Sequence, residues 1–137
     1  MDQVEHVLGV HNELGECPIW NPKEQALYWI NIEGNASAHR FDPGTGKHEV
    51  CNLNFPITAF GLRASGGWIT AARNGLAFWD WQSQNYEFIT DPEADTPDVR
   101  FNDGVVDRQI TAQDRDPDVA QIADEVHNRH HQPGEEL

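Results

Sequence analysis

Six short runs of aromatic and β-branched residues, separated by turn signals, constrain the fold of this chain most strongly. They are ALYWINI (26–32), SAHRFD (37–42), HEVCNL (48–53), WITAA (68–72), LAFWDW (76–81) and YEFIT (86–90). Each run has the length and composition of a β-strand. Between two of them, Asn74 and Gly75 favour a tight hairpin, because both residue types tolerate positive φ. The sequence therefore predicts an all-β fold for residues 1–107.

The strand pattern also repeats along the chain. RFDPGTGKHEV (40–50) and FWDWQSQNYEF (78–88) align at an offset of 38 residues. Repeats of about 40 residues, each holding four strands, are typical of propeller blades. On these residues alone a plain β-sandwich remains the alternative. The large side chains expected in the sheet cores are Trp20, Trp29, Phe41, Trp68 and Trp79.

The composition changes sharply after the strands, since all five Trp, two Tyr and six Phe lie at or before Phe101. Residues 108–137 therefore read as an unrelated acidic tail. Asp116 can cap a helix that has Pro117 at its first position. Apolar residues at helical spacing follow at Val119, Ile122, Ala123 and Val126. We expect a short helical or disordered tail, with one weak helix at about 117–130.

Net charge limits the partners of the protein. The chain has 9 Lys and Arg against 23 Asp and Glu, a formal net charge of −14. Such a surface repels phosphate backbones, so nucleic acid is not expected as a partner. No apolar stretch approaches a membrane span, and no membrane partner is expected. With two distant cysteines, Cys17 and Cys51, the sequence predicts a cytoplasmic protein in a reducing compartment.

Two stretches carry candidate chemistry. Glu16 lies just before an apolar strand, where its carboxylate is well placed as a hard oxygen ligand for a divalent cation. Arg100 offers a planar fork of donors, and Asn102 offers both a donor and an acceptor, which suits a polyhydroxylated or carbonyl-bearing ligand. A surface carboxylate and an ordinary loop between blades are the alternatives. His127, His130 and His131 sit on a polar helix and are more typical of residues that bind nothing.

Together these stretches resemble the SMP-30/gluconolactonase/regucalcin-like family of sugar lactonases. The matching text is LGECPIWNPKEQALYWINIEGNASAHRFDPGTG, FGLRASGGWITAARNGLAFWD and DPEADTPDVRFNDGVVD, in order and correctly spaced over about residues 4–107. The resemblance covers the N-terminal portion only. It implies part of a six-bladed β-propeller, about two blades and the start of a third.

The resemblance also implies a site. In that family one divalent metal ion (Ca²⁺, Zn²⁺, Mg²⁺ or Mn²⁺) at the top of the central channel polarises the carbonyl of a sugar lactone and helps generate hydroxide. By resemblance, Glu16 is the first metal-ligating glutamate, Arg100 and Asn102 hold the sugar, and Asp103 supports their loop. Position 17 is usually glycine in this motif, and Cys17 is expected to be small enough for the site.

After RFND the sequence departs from the family, with RQITAQDRDPDVAQ in place of a glycine-aromatic strand. The other metal ligands and the general base, which the family takes from later blades, have no counterpart. One hypothesis is therefore a lactone hydrolase in truncated or frameshifted form, with doubtful activity. Another is a non-enzymatic half-propeller that binds calcium or a partner chain, and self-association through unpaired strand edges fits it. A small β protein without a ligand is the third.

Overall fold

A computed structural model of the chain describes residues 3–96 and 99–106, which contain eight β-strands and no helix. The strands are β1 (Gly15–Asn21), β2 (Ala26–Asn31), β3 (Ser37–Asp42), β4 (Lys47–Asn52), β5 (Ile57–Leu62), β6 (Trp68–Ala72), β7 (Gly75–Trp79) and β8 (Tyr86–Thr90). Six of them fall on the predicted runs. β1 and β5 are additional, because Pro18 in β1 and Gly61 in β5 weaken a strand signal.

The strands form two four-stranded antiparallel meanders, in the order β1-β2-β3-β4 and β5-β6-β7-β8. Asp42 and Asp80, which the repeat aligns, explain why the two meanders turn alike. The Asp42 carboxylate accepts a hydrogen bond from Gly44 N at 2.8 Å, and the Asp80 carboxylate accepts one from Ser83 N at 2.7 Å. Each aspartate thus closes its own turn between the third and fourth strands of its sheet.

Aromatic side chains hold the two sheets together. The Tyr28 ring lies 4.7 Å from the Trp68 ring and 5.4 Å from the Trp81 ring, measured between centroids. Within the second sheet Phe60 stacks on Trp68 at 4.4 Å, and between the sheets β1 contacts β5. Such ring pairs each contribute about 1 kcal/mol beyond the area that they bury. The all-β fold is confirmed, with each meander forming one blade.

Three of the five large side chains expected in the cores are buried, namely Phe41, Trp68 and Trp79. Trp29 is half-buried. The prediction for Trp20 was wrong, since 45% of this residue is exposed. Ile19 points into the core between the sheets, so the next residue along β1 points to the opposite, uncovered face.

The stretch VEHVLGV (4–10), before β1, forms no strand, and its valines Val4 and Val7 are exposed. The helix predicted at about 117–130 lies outside the described residues. Within those residues, no helix has the length and apolar character needed to cross a membrane.

Candidate functional site

The two segments that carry the predicted site residues start from one end of the two sheets. Gly15 at the start of β1 pairs with Asn31 at the end of β2, and Ser37 pairs with Asn52 at the end of β4. A short link joins β4 to β5, so β5 of the second sheet also begins at this end. Because antiparallel strands alternate in direction, β8 also finishes there, and residues 91–106 follow it. We call this the upper end.

Glu16 occupies a β-bulge on β1. The register of β1 against β2 shifts between Glu16 and Ile19, and the intervening Cys17 has φ of 55°. The Asn31 side chain fixes the approach to the bulge, because its Oδ1 accepts a hydrogen bond from Leu14 N at 2.9 Å. Glu16 itself is exposed, so its carboxylate is free of the sheet interior.

The backbone at Cys17 adopts a conformation that favours glycine. A φ of 55° lies in the left-handed region, which costs a residue with a side chain about 1–2 kcal/mol. Bulges of this kind usually place glycine there. The Cys17 thiol compensates in part, since Sγ donates a hydrogen bond to Phe60 O at 3.4 Å and packs against both buried clusters. The restriction at position 17 is therefore one of backbone conformation more than of size.

A buried phenylalanine fixes the second predicted stretch. Phe101 is only 2% exposed and packs in a cluster of apolar residues from the second sheet. Its chain neighbours Arg100 and Asn102 are exposed. Further along, Val106 lies so close to Gly61 on β5 that a Cβ at position 61 would collide with its Cγ2. The segment 99–106 is thus held against the second sheet, while Arg100 and Asn102 face solvent.

Asp103 stabilises its own loop and lies near the bulge. Its Oδ1 accepts a hydrogen bond from Gly104 N at 2.7 Å. Burial raises the pKa of the Cys17 thiol, the hydrogen bond to Phe60 O opposes this, and the carboxylates of Asp103 and Glu16 raise it further. Both carboxylates therefore lie within electrostatic reach of one thiol. The approach of Arg100 and Asn102 to Glu16 stays a prediction.

The described residues do not by themselves make a complete metal centre. Residues 3–96 and 99–106 contain no group of three or more His, Cys, Asp or Glu side chains that could hold a metal ion. A calcium ion takes six to eight oxygen ligands, and the smaller Mg²⁺ takes six in near-octahedral geometry. Glu16 and Asp103 fall short of that number.

Sequence reasoning missed two features of this half of the molecule. Phe101 was not recognised as an anchor, although an isolated aromatic between polar neighbours is a signal for one. A hydrogen-bonded row formed by Ser37, His39 and His48 was also overlooked. Ser37 and His39 alternate along β3, which places their side chains on one face, but the contact with His48 requires the register of β4.

A family comparison gives this geometry its context. Residues 14–111 match the family described as "SMP-30/Gluconolactonase/LRE-like region". The chain belongs to this family. The resemblance predicted from the sequence motifs is therefore confirmed.

Curated members of the SMP-30/gluconolactonase family include sugar lactonases. The chain is 40% identical over 94 residues to 6-deoxy-6-sulfogluconolactonase of Pseudomonas putida, covering 69% of this chain and 32% of that protein. It is 34% identical over 105 residues to regucalcin of Xenopus laevis, covering 77% of this chain and 35% of that protein. The chain thus spans about a third of the length of these relatives.

Solved structures support the family's fold. Regucalcin from Agrobacterium tumefaciens, described as a calcium-binding protein, matches with a TM-score of 0.64 and 26% identity, covering 72% of this chain and 33% of that one. A luciferin-regenerating enzyme matches with a TM-score of 0.65 at 21% identity, covering 71% of this chain and 34% of that one. The second match is evidence for the fold alone. The two blades are therefore part of a regucalcin-like propeller.

Proposed function

We propose that this chain contributes one metal-binding carboxylate, Glu16, and one sugar-binding loop, 100–103, to a metal-dependent sugar lactone hydrolase. The observation that carries the proposal is that Cys17, the chain neighbour of Glu16, packs against the buried cluster that contains Phe101 of the 100–103 loop. The named activities of the Pseudomonas putida sulfogluconolactonase and of a Haloferax volcanii pentonolactonase, 38% identical over 79 residues, support a sugar lactone as substrate.

Each side chain has a distinct task in this proposal. Arg100 and Asn102, presented on either side of the buried Phe101, hydrogen-bond the hydroxyls and ring oxygen of the sugar. Glu16 supplies one oxygen ligand to a divalent cation, and Asp103 keeps the loop in shape. When bound, such a cation polarises a lactone carbonyl. Since the described residues do not complete its ligand shell, we assign Glu16 as one ligand and no more.

The 137-residue polypeptide is expected to be inactive on its own. Its described part offers too few oxygen ligands for a hard cation at the upper end, and therefore no means to generate hydroxide there. The rate of gluconolactone hydrolysis, measured by the release of acid in the presence of Ca²⁺, Zn²⁺, Mg²⁺ or Mn²⁺, should equal the rate in buffer that contains the same metal and no protein. Metal-dependent turnover that Glu16→Gln abolishes would show that Asp103, other residues of this chain or a second chain complete the site.

A complementation experiment tests the proposed roles directly. The chain is mixed with a polypeptide that carries the unmatched remainder of the Pseudomonas putida relative. We expect metal-dependent hydrolysis to appear, and Glu16→Gln or Arg100→Ala to remove it. Glu13→Gln is the matched control, because Glu13 is an exposed carboxylate three residues away that has no proposed role. Equal rates in Glu16→Gln and Glu13→Gln would contradict the assignment.

A non-enzymatic half-propeller that binds calcium or a partner chain is the second candidate. The match to a solved calcium-binding regucalcin favours it, as do the sheet edges. β4 and β8 each form one edge of their sheet, so each carries backbone groups available for pairing with another chain. Calcium binding without lactone turnover, together with a concentration-dependent mass in size-exclusion chromatography with light scattering, would favour this candidate over the hydrolase.

A further inference from the structure

Three polar side chains form a continuous hydrogen-bonded row on one face of the first sheet. Ser37 Oγ lies 3.0 Å from His39 Nε2, and His39 Nδ1 lies 3.0 Å from His48 Nε2. Ser37 and His39 are buried, with exposed fractions of 5% and 6%, whereas His48 is half-exposed. The row therefore begins inside the sheet and ends near solvent.

The two imidazoles lie side by side in almost one plane, above a tryptophan. The ring planes of His39 and His48 differ by 10°, and their centroids are 5.2 Å apart. The Trp29 ring is parallel to both, at 4.9 Å from His39 and 5.6 Å from His48. The facing nitrogens thus point at each other across a gap that the indole underlies.

The hydrogen bonds of the row leave His39 Nδ1 with a lone pair that faces His48. The Ser37 hydroxyl oxygen can accept the proton of His39 Nε2, which leaves His39 Nδ1 as an acceptor facing His48. Neutral imidazole with such a free lone pair is the form in which histidine binds metals.

The two nitrogens are hydrogen-bonded to each other, and their separation is also the one that two ligands of a single ion would have. Histidine nitrogens bind Zn²⁺ at about 2.0–2.1 Å, so two on one ion lie about 2.9 Å apart at a right angle and about 3.3 Å apart at a tetrahedral angle. The observed 3.0 Å falls between these values. Carboxylate-binding ions such as Ca²⁺ and Mg²⁺ take oxygen ligands, whereas imidazole suits Zn²⁺, Ni²⁺ and Cu²⁺.

We propose that His39 Nδ1 and His48 Nε2 together bind a first-row transition-metal dication of the Zn²⁺, Ni²⁺ or Cu²⁺ class, with water completing the coordination. The ion replaces the proton of the hydrogen bond between the two nitrogens and lies beside the line that joins them, so the His48 ring turns to direct Nε2 at the ion. The displaced proton moves to His48 Nδ1 by exchange with solvent, and no net proton is released. The ion is bound by one residue from β3 and one from β4. The site is separate from Glu16, which lies on β1 at the other edge of the same sheet.

Access to the site is open on the described part of the chain. Val50, which pairs with His39 across the two strands, is 51% exposed, and His48 lies on the edge strand β4. An ion can therefore reach the gap from solvent when His48 turns slightly away from His39.

A fluorescence titration with Ni²⁺ tests the proposal. It uses the full chain with His127, His130 and His131 replaced by Gln, so that these histidines cannot compete. Ni²⁺ should quench tryptophan emission saturably at one equivalent, since Trp29 lies under both rings, and Zn²⁺ should reverse the quenching. His48→Gln should abolish the saturable phase. His11→Gln, which changes an exposed histidine before β1, should leave it intact.

Further variants distinguish a loss of metal binding from a loss of the Trp29 fluorescence signal. Trp29→Phe should keep one Ni²⁺ per chain in equilibrium dialysis while losing the saturable quenching. Ser37→Ala should weaken Ni²⁺ binding about 10-fold or more, as expected when the partner that orients a ligating histidine is lost. The parent of these variants is the full chain with His127, His130 and His131 replaced by Gln. Equal Ni²⁺ affinity in this parent and in His48→Gln would overturn the proposal, as would equilibrium dialysis that shows no saturable binding to the parent.

A measurement on the parent alone guards against a variant that fails to fold. Zn²⁺ should shift the imidazole ¹⁵N resonances of His39 Nδ1 and His48 Nε2 and leave those of His6 and His11 in place. Unchanged ring resonances of His39 and His48 at saturating Zn²⁺ would refute the site without reference to any substitution.

Discussion

Replacing Phe101 with alanine should release the loop that carries Arg100, Asn102 and Asp103. Phe101 is 2% exposed and packs against four buried apolar residues of the second sheet, Ala59, Ile69, Ala71 and Leu76. Truncation of a buried phenylalanine to alanine costs about 3–5 kcal/mol. Because the whole domain is expected to be stable by about 5–15 kcal/mol, this is a large fraction of the total. The loss is smaller if segment 99–106 simply detaches, since only its docking energy is then forfeited.

Urea unfolding followed by tryptophan fluorescence measures the global loss, and amide exchange of residues 99–106 measures detachment. We expect Phe101→Ala to lower the free energy of unfolding by at least about 2 kcal/mol and to accelerate exchange throughout the segment. Val105→Ala is the matched control, because Val105 is 57% exposed in the same segment and should change stability by no more than about 0.5 kcal/mol. Equal effects of the two substitutions would refute the assignment of Phe101 as the anchor.

Two other predictions concern stability. Burial first, and His48 second, lower the pKa of His39, so the unfolded chain binds more protons. The free energy of unfolding, measured by urea unfolding at a series of pH values, should therefore fall as pH drops below about 6.5 and level off above it. His39→Gln should reduce this dependence of stability on pH. Gly75→Ala should destabilise the protein by at least about 2 kcal/mol more than Gly46→Ala in the same assay, since a Cβ at position 75 meets the Thr90 carbonyl oxygen whereas position 46 is open. Equal losses would count against this reading of the turn.

Much of the fold could be predicted because its signals are local. Strand runs, the Asn74 and Gly75 hairpin and the repeated aspartates Asp42 and Asp80 are readable within a few residues. β5 escaped prediction because its residues ITAFGL carry no alternation and include Gly61. Trp20 was misplaced for a different reason: which face of β1 is covered depends on how the two sheets pack, and strand periodicity does not reveal that.

The candidate site divides in the same way. Family motifs identified Glu16, Arg100, Asn102 and Asp103 by number, and their roles stay a prediction. The structure shows Glu16 at the start of β1 and segment 99–106 held against the second sheet. The role of Phe101 could not be read from the motif, since it depends on a surface built by residues 59–76. The same holds for the Ser37, His39 and His48 row, which exists only once β3 and β4 are paired in register.

The most direct test of the central claim uses paramagnetic Mn²⁺ and the ¹⁵N-labelled chain, mixed with the unlabelled polypeptide that carries the unmatched remainder of the Pseudomonas putida relative. If Glu16 and the 100–103 loop share one site, substoichiometric Mn²⁺ should broaden the amides of Gly15 and Glu16 together with those of Asp103 and Gly104. Glu16→Gln should then remove the broadening from both groups, while Glu13→Gln should leave it unchanged. Broadening of only one group, or broadening of both that survives Glu16→Gln, would contradict a shared metal site at the upper end.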